Sequence, residues 1–150
     1  MSDTNPNASY VPAGYNTVQP YLMYVNTAEA IAWYTKVFGA TEKLCMKDNN
    51  GRIVHAEIVI GSSVLMMADE HPEIGAFATA HYGGSPVGLM MYSENCDATY
   101  KTALDSAATS LREPADQPYG DRMAGVLDPY GYKWWIAHSL NNSAERGVDK

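Results

Sequence analysis

One order of elements, an extended run, a helix and three more extended runs, can be read twice along this chain, and that doubling restricts its fold more than any other feature. The first copy opens on TVQPYLMYV, Thr17 to Val25, where β-branched and aromatic residues alternate: Gln19, Tyr21 and Met23 leave one face of a strand, Leu22 and Tyr24 the other. Asn26 can cap a helix, Glu29 stands three residues on in the capping-box place, and Ile31, Tyr34 and Phe38 share a face before Gly39. The spacing predicts a helix from about Thr27 to Phe38. Extended runs follow at Thr41 to Lys47, Ile53 to Ile60 and Ser63 to Ala68, parted by turn signals at Asp48-Asn49-Asn50-Gly51 and Gly61-Ser62. In the middle run, IVHAEIVI, Val54, Ala56, Ile58 and Ile60 fall on one face, toward the helix, and His55, Glu57 and Val59 on the other, toward a cavity.

Residues 70–85 shift to His, Pro, Gly and Ala, as a connector does. Beyond it VGLMMYS reads as a strand, Asn95 can cap a helix running to about Ala107, and Leu111 to Glu113, Met123 to Leu127 and Tyr132 to His138 supply later strands. A shift of 68 positions pairs Met23 with Met91, Tyr24 with Tyr92, Ala30 with Ala98, Ala40 with Ala108 and Thr41 with Thr109. Neither copy can cover both faces of its own sheet, so the repeat implies two copies packed into one pseudo-symmetric body. The expected plan is an N-terminal extension (1–16), a first βαβββ module (17–69), a connector (70–85), a second βαβββ module (86–138) and a C-terminal tail (139–150). At 150 residues and 46% hydrophobic, the chain can bury one sizeable core without disulfides or a structural metal.

A net charge of -7 argues against a nucleic-acid partner, whose phosphates call for clustered Lys and Arg, and no basic run occurs. Cys45 and Cys96 form neither a disulfide framework nor a CxxC knuckle and are expected as free, buried thiols. Met1 to Asn16 is polar, with Pro6, Pro12 and Gly14, and offers no apolar stretch for a signal peptide or membrane span. A cytoplasmic protein with no membrane partner is expected, so the acceptor pattern at Asn7 is given no weight.

Two stretches, PYLMYVNTAEAIAWYTKVFGA and GDRMAGVLDPYGYKWWIA, carry a further likeness, with the HAEI strand between them. The first places Trp33-Tyr34 and Phe38-Gly39 where an aromatic pair and a helix end are wanted; in the second an Asp-Pro-x-Gly turn, Asp128 to Gly131, joins two strands. In this order they resemble the glyoxalase/bleomycin-resistance superfamily, the vicinal-oxygen-chelate proteins, in particular its PhnB-like branch, from about Tyr15 to His138. The resemblance implies an α+β fold of two βαβββ modules forming a pseudo-symmetric cup-shaped sheet with helices on the outer face. It also implies a small-molecule ligand and a homodimer. Metal-dependent members carry His, Gln or Glu on the first and last strands of each half, and these positions fall here at Gln19, Met66, Val87 or Gly88, and Trp135. Only Gln19 matches; the others offer no oxygen or imidazole lone pair, so glyoxalase and extradiol dioxygenase activity do not carry over. No cofactor is expected, a displaced divalent-metal site being the lesser alternative.

His55 and Glu57, two apart on one strand, point the same way and are the candidate catalytic residues. They could exchange a proton with a ligand, with burial raising the Glu57 pKa unless His55 is charged. Alternatively they form a polar pair closing the sheet face, reaching Arg122, or bind a metal with Gln19. Tyr21, Met66 and Trp135 are expected to wall the cup, with Trp135 near Met66 and Gln19; Leu22, Tyr24 and Trp134 belong to the core. Arg122 either clamps a carboxylate or phosphonate or is neutralised by Asp121 or Glu57. His71, His81 and His138 are expected at the surface. Two functions remain open: a metal-free protein holding a small, partly aromatic or amphipathic molecule, or a lyase or isomerase using a displaced metal or His55 and Glu57.

Overall fold

The computed structural model of the protein describes residues 10–141; the acceptor pattern at Asn7 and the tail from residue 142 lie outside them. The chain divides between Ala78 and Thr79 into two compact units, each with one βαβββ run. In the first unit β1 (Tyr21–Tyr24), α1 (Thr27–Phe38), β2 (Thr41–Lys47), β3 (Ile53–Ile60) and β4 (Ser63–Asp69) build a sheet in the order β1-β4-β3-β2. β1 runs parallel to β4 and the other pairs are antiparallel. The second unit repeats this with β5 (Gly88–Tyr92), α2 (Cys96–Asp105), β6 (Thr109–Asp116), β7 (Asp121–Leu127) and β8 (Lys133–Ser139), in the order β5-β8-β7-β6. The α+β class and both βαβββ modules stand as expected.

The caps form as the sequence implies. The Asn26 side chain accepts from the Glu29 amide at 3.1 Å, and Gly39, in the left-handed region at φ 70°, ends α1 with its N–H on the Tyr34 carbonyl. Ala30, Ile31, Trp33, Tyr34 and Val37 are buried against the sheet, where Leu22, Tyr24, Ala56, Ile58 and Met67 meet them. Inside this layer the Tyr24 and Tyr34 hydroxyls share a hydrogen bond of 2.7 Å. Asp69, at the end of β4, accepts from the amides of Thr27 and Ile53, both at 2.8 Å, tying the helix start and β3 to one carboxylate.

Three readings need correction. The first strand is shorter than Thr17 to Val25, because Pro20 has no N–H to donate; its carbonyl still accepts from Met66. Val54 is exposed and Ile53 buried, because the β2–β3 register slips between Met46 and Lys47 and leaves Val54 without a partner, reversing the alternation there. The repeat carries two shifts. Tyr21 pairs with Met66 as Met90 pairs with Trp135, a shift of 69, while Glu57 and Gly125, opposite Met66 and Trp135, differ by 68. One residue is lost across the second helix, which has 10 residues against 12, and Ala107 takes a left-handed φ of 78° where α1 uses Gly39.

Candidate functional site

Pairing across the first sheet sets Tyr21, Met66, Glu57 and Leu44 in one row, on the face away from α1, and His55 shares that face two residues from Glu57. Tyr21, His55 and Glu57 form a hydrogen-bonded chain. The Tyr21 hydroxyl lies 2.9 Å from His55 Nδ1, and His55 Nε2 lies 2.7 Å from Glu57 Oε2. The Tyr15 hydroxyl donates to the other oxygen, Glu57 Oε1. With Glu57 ionised, Nε2–H donates to it, and Nδ1 shares a hydrogen bond with the Tyr21 hydroxyl.

Glu57 is only 4% exposed. Burial alone pushes its carboxyl up, but hydrogen bonds from Tyr15 and His55 and the positive charge available on His55 and Lys43 outweigh it, so the carboxyl sits below its ordinary value. Burial was expected to raise it unless His55 is charged, and the charge on His55 is among the causes that lower it. Tyr21 moves the other way: burial and then the Glu57 charge raise its hydroxyl above the usual range. The resting proton therefore belongs to Tyr21, and Glu57 is the anion.

Sequence reasoning missed Tyr15. The segment from Tyr10 to Gln19 runs over the sheet face as a strap, held by the Tyr15–Glu57 bond, by the Asn16 amide on Gln19 Oε1, and by the Lys43 ammonium 3.9 Å from the Tyr15 ring centre. The only sequence signal was the Pro12-Ala13-Gly14-Tyr15 turn inside an otherwise polar extension. Beneath the strap lies a hollow of about 490 Å³, walled by Tyr10, Val11, Pro12, Tyr15 and Met66, with Gln19 and Glu57 as polar lining. Gln19, Glu57 and Met66 are thus brought together, while Tyr21, half-exposed, stands at the far end of the hydrogen-bonded chain.

Trp135 and Arg122 belong to the second unit. Trp134 is buried and its indole N–H donates to Asp128 Oδ2 at 2.8 Å, while Trp135 leaves the opposite face of β8. The Trp135 ring lies over Gly125 and Gly88: a Cβ on Gly125 would stand 2.2 Å from Cζ3, and one on Gly88 2.8 Å from Nε1. Register identifies Gly88, not Val87, as the counterpart of Gln19, since each lies two residues before the partner of Met66 or Trp135. Arg122 is held by Asp97 (2.6 and 2.9 Å) and Asp116 (3.0 Å), not by Asp121 or Glu57, so its donors face carboxylates already. His138 is partly buried, with Nδ1 accepting from the Cys96 amide at the start of α2. A further hollow of about 670 Å³ between the Thr79–Pro86 segment and the Asp128 turn contains none of the site residues read from the sequence.

The four positions that the resemblance assigns to metal ligands become, with Gly88 chosen by register, Gln19, Met66, Gly88 and Trp135. The Gln19 oxygen is engaged by the strap, and the other three offer no hard donor. Among the described residues no three His, Cys, Asp or Glu side chains converge as a metal site. These residues do not fit a divalent ion.

A family model described as Glyoxalase/Bleomycin resistance protein/Dioxygenase superfamily matches residues 17–136. An uncharacterized protein of Mycobacterium bovis is 31% identical over 126 residues, covering 82% of this chain and 83% of its own. TioX from Micromonospora sp. ML1 superposes with a TM-score of 0.64 at 19% identity, over 86% of this chain and 100% of that one. A putative 3-demethylubiquinone-9 3-methyltransferase, PhnB protein, from Bacillus cereus gives 0.63 at 17% identity, over 83% and 100%. At these identities the two structures are likenesses of fold.

Proposed function

Because the chain belongs to the Glyoxalase/Bleomycin resistance protein/Dioxygenase superfamily, we propose that it binds a small, partly apolar molecule, without a metal ion, in the hollow on the first unit's sheet face. One observation carries this reading: an open hollow of ligand size with tyrosine, valine, proline and methionine walls contains a single buried carboxylate. Fold alone does not fix function, so the site must supply the argument. The proton distribution favours binding over catalysis, since moving the proton from Tyr21 toward Glu57 runs against both shifts.

The test is calorimetric titration of chelator-treated protein with phenethyl alcohol. Saturable binding is expected, and Met66→Trp, its fold checked by circular dichroism, should abolish it. A Trp there would fill the hollow, because Gln19 and Glu57 stand where Trp135 has glycines beneath it. Binding that needs an added divalent ion, or that survives Met66→Trp unchanged, would contradict the proposal.

The Tyr21–His55–Glu57–Tyr15 chain supports a second reading, a metal-free acid–base lyase or isomerase in which Tyr21 donates and His55 resupplies the proton. Uptake of solvent deuterium into a bound ketone such as phenylacetone, lost in His55→Gln, would favour it. A homodimer and a cytoplasmic location complete the proposal. Tyr21, Leu44 and Met46 in the first unit and Met90, Tyr92 and Leu111 in the second leave apolar surface that a partner copy could cover, and the free thiols of Cys45 and Cys96 suit a reducing compartment.

A further inference from the structure

We infer that the hollow under the strap takes an organic cation, a protonated amine carried on an apolar or aromatic body. This rests on the reading of the hollow as a ligand site and names the chemistry it selects. The Glu57 carboxylate lies in the hollow at 4% exposure, and its two hydrogen-bond partners are a phenol and an imidazole, not an Arg or Lys. A carboxylate has about four acceptor positions, so two remain beyond Tyr15 and His55. Among the described residues no Lys or Arg lines the hollow; its other polar groups are amides, hydroxyls and backbone.

A neutral alcohol entering here returns one hydrogen bond to Glu57 for the water it strips but no charge, and an anion adds like-charge repulsion in a desolvated place. An ammonium group instead fills the two open acceptor positions and sets a full positive charge against the carboxylate, closer than the Lys43 that already acts on it from outside the hollow. The walls suit it as well. The Tyr15 ring already attracts a cation, the protein's own Lys43, which is not among the lining residues, and Tyr10 adds a second aromatic ring. The net charge of -7 draws cations toward the protein from farther away.

The experiment compares phenethylamine, phenethyl alcohol and hydrocinnamate, one shape in three charge states, by calorimetry at neutral pH. The amine should bind about tenfold or more tightly than the alcohol, and hydrocinnamate more weakly than either. Glu57→Gln should erase the amine's advantage while retaining binding of the alcohol. Tyr15→Phe should strengthen the amine, because Glu57 then lacks a donor, whereas a merely structural hydroxyl would leave it equal or weaker. It also tests the idea should Glu57→Gln not fold. If the alcohol binds as tightly as the amine, if the advantage survives Glu57→Gln, or if Tyr15→Phe does not strengthen the amine, the cation inference fails and the binding site stands. If none of the three binds, both fail.

Discussion

Adding one methyl group at Gly125 tests whether the second unit's sheet face is shaped around an indole. Its Cβ would lie 2.2 Å from Trp135 Cζ3 and 2.6 Å from Cε3, more than an ångström inside ordinary contact at the nearer atom. The ring cannot slide toward β5, because its other edge rests over Gly88, so it must lift from the sheet. Overpacking of this kind costs about 1–3 kcal/mol, which for a chain of this length lowers Tm by about 3–10 °C. Trp135 is only partly buried, so lifting is open to it and the lower half of the range is expected. Differential scanning calorimetry on Gly125→Ala, Trp135→Ala and the double variant separates the causes. With the ring gone, Gly125→Ala should be neutral or stabilising by up to about 1 kcal/mol, because alanine loses less backbone freedom in a strand than glycine. Equal destabilisation in both backgrounds would refute the steric account.

Other consequences follow from single contacts. Ala107→Gly should raise Tm by a few degrees, because Ala107 holds a left-handed φ of 78° that costs an L-residue about 1 kcal/mol; an unchanged or lower Tm in thermal melts would count against a strained cap. Trp134→Phe should lower stability in urea by about 1–3 kcal/mol, since the buried Asp128 carboxylate loses the indole donor that complements the Tyr130 and Tyr132 amides; a change near zero would contradict that bond. Because the Glu57 carboxyl lies lower when folded than its ordinary value of 4.5, its stabilisation is complete above that value and is lost as pH falls through the folded pKa. Acid titration should therefore erode wild type more steeply below that value than Glu57→Gln, and parallel curves would argue that Tyr15 and His55 do not hold the anion.

Much of the fold was legible because local rules and the global pattern agree. Asn26 and Gly39 bracket α1 as capping chemistry requires, and alternation placed Leu22, Tyr24 and Trp134 in the core and Tyr21, His55, Glu57 and Met66 on the other face. The failures have physical causes. Val54 was misplaced because a bulge arises from pairing between strands, which one strand's periodicity does not record. Tyr15 was not foreseen as a donor to Glu57 because it lies 42 residues away in an extension read as polar coil. For the same reason Arg122 was assigned the wrong carboxylates: Asp97 comes from α2 and Asp116 from β6. Gly88 and Gly125 were the missed signal, since glycines facing one position across a sheet mark a large side chain lying flat on it.

The claim that a metal-free hollow around Glu57 and Met66 binds a small molecule is tested most directly by NMR on protein carrying labelled methionine methyl groups, with chelator present. The Met66 signal is assigned by its loss in Met66→Leu, and phenethylamine is titrated in. The account predicts a saturable shift of the Met66 methyl and a nuclear Overhauser effect between it and the ligand's ring protons. A Met66 methyl that stays still while the ligand binds elsewhere, or that moves only after a divalent ion is restored, would contradict it.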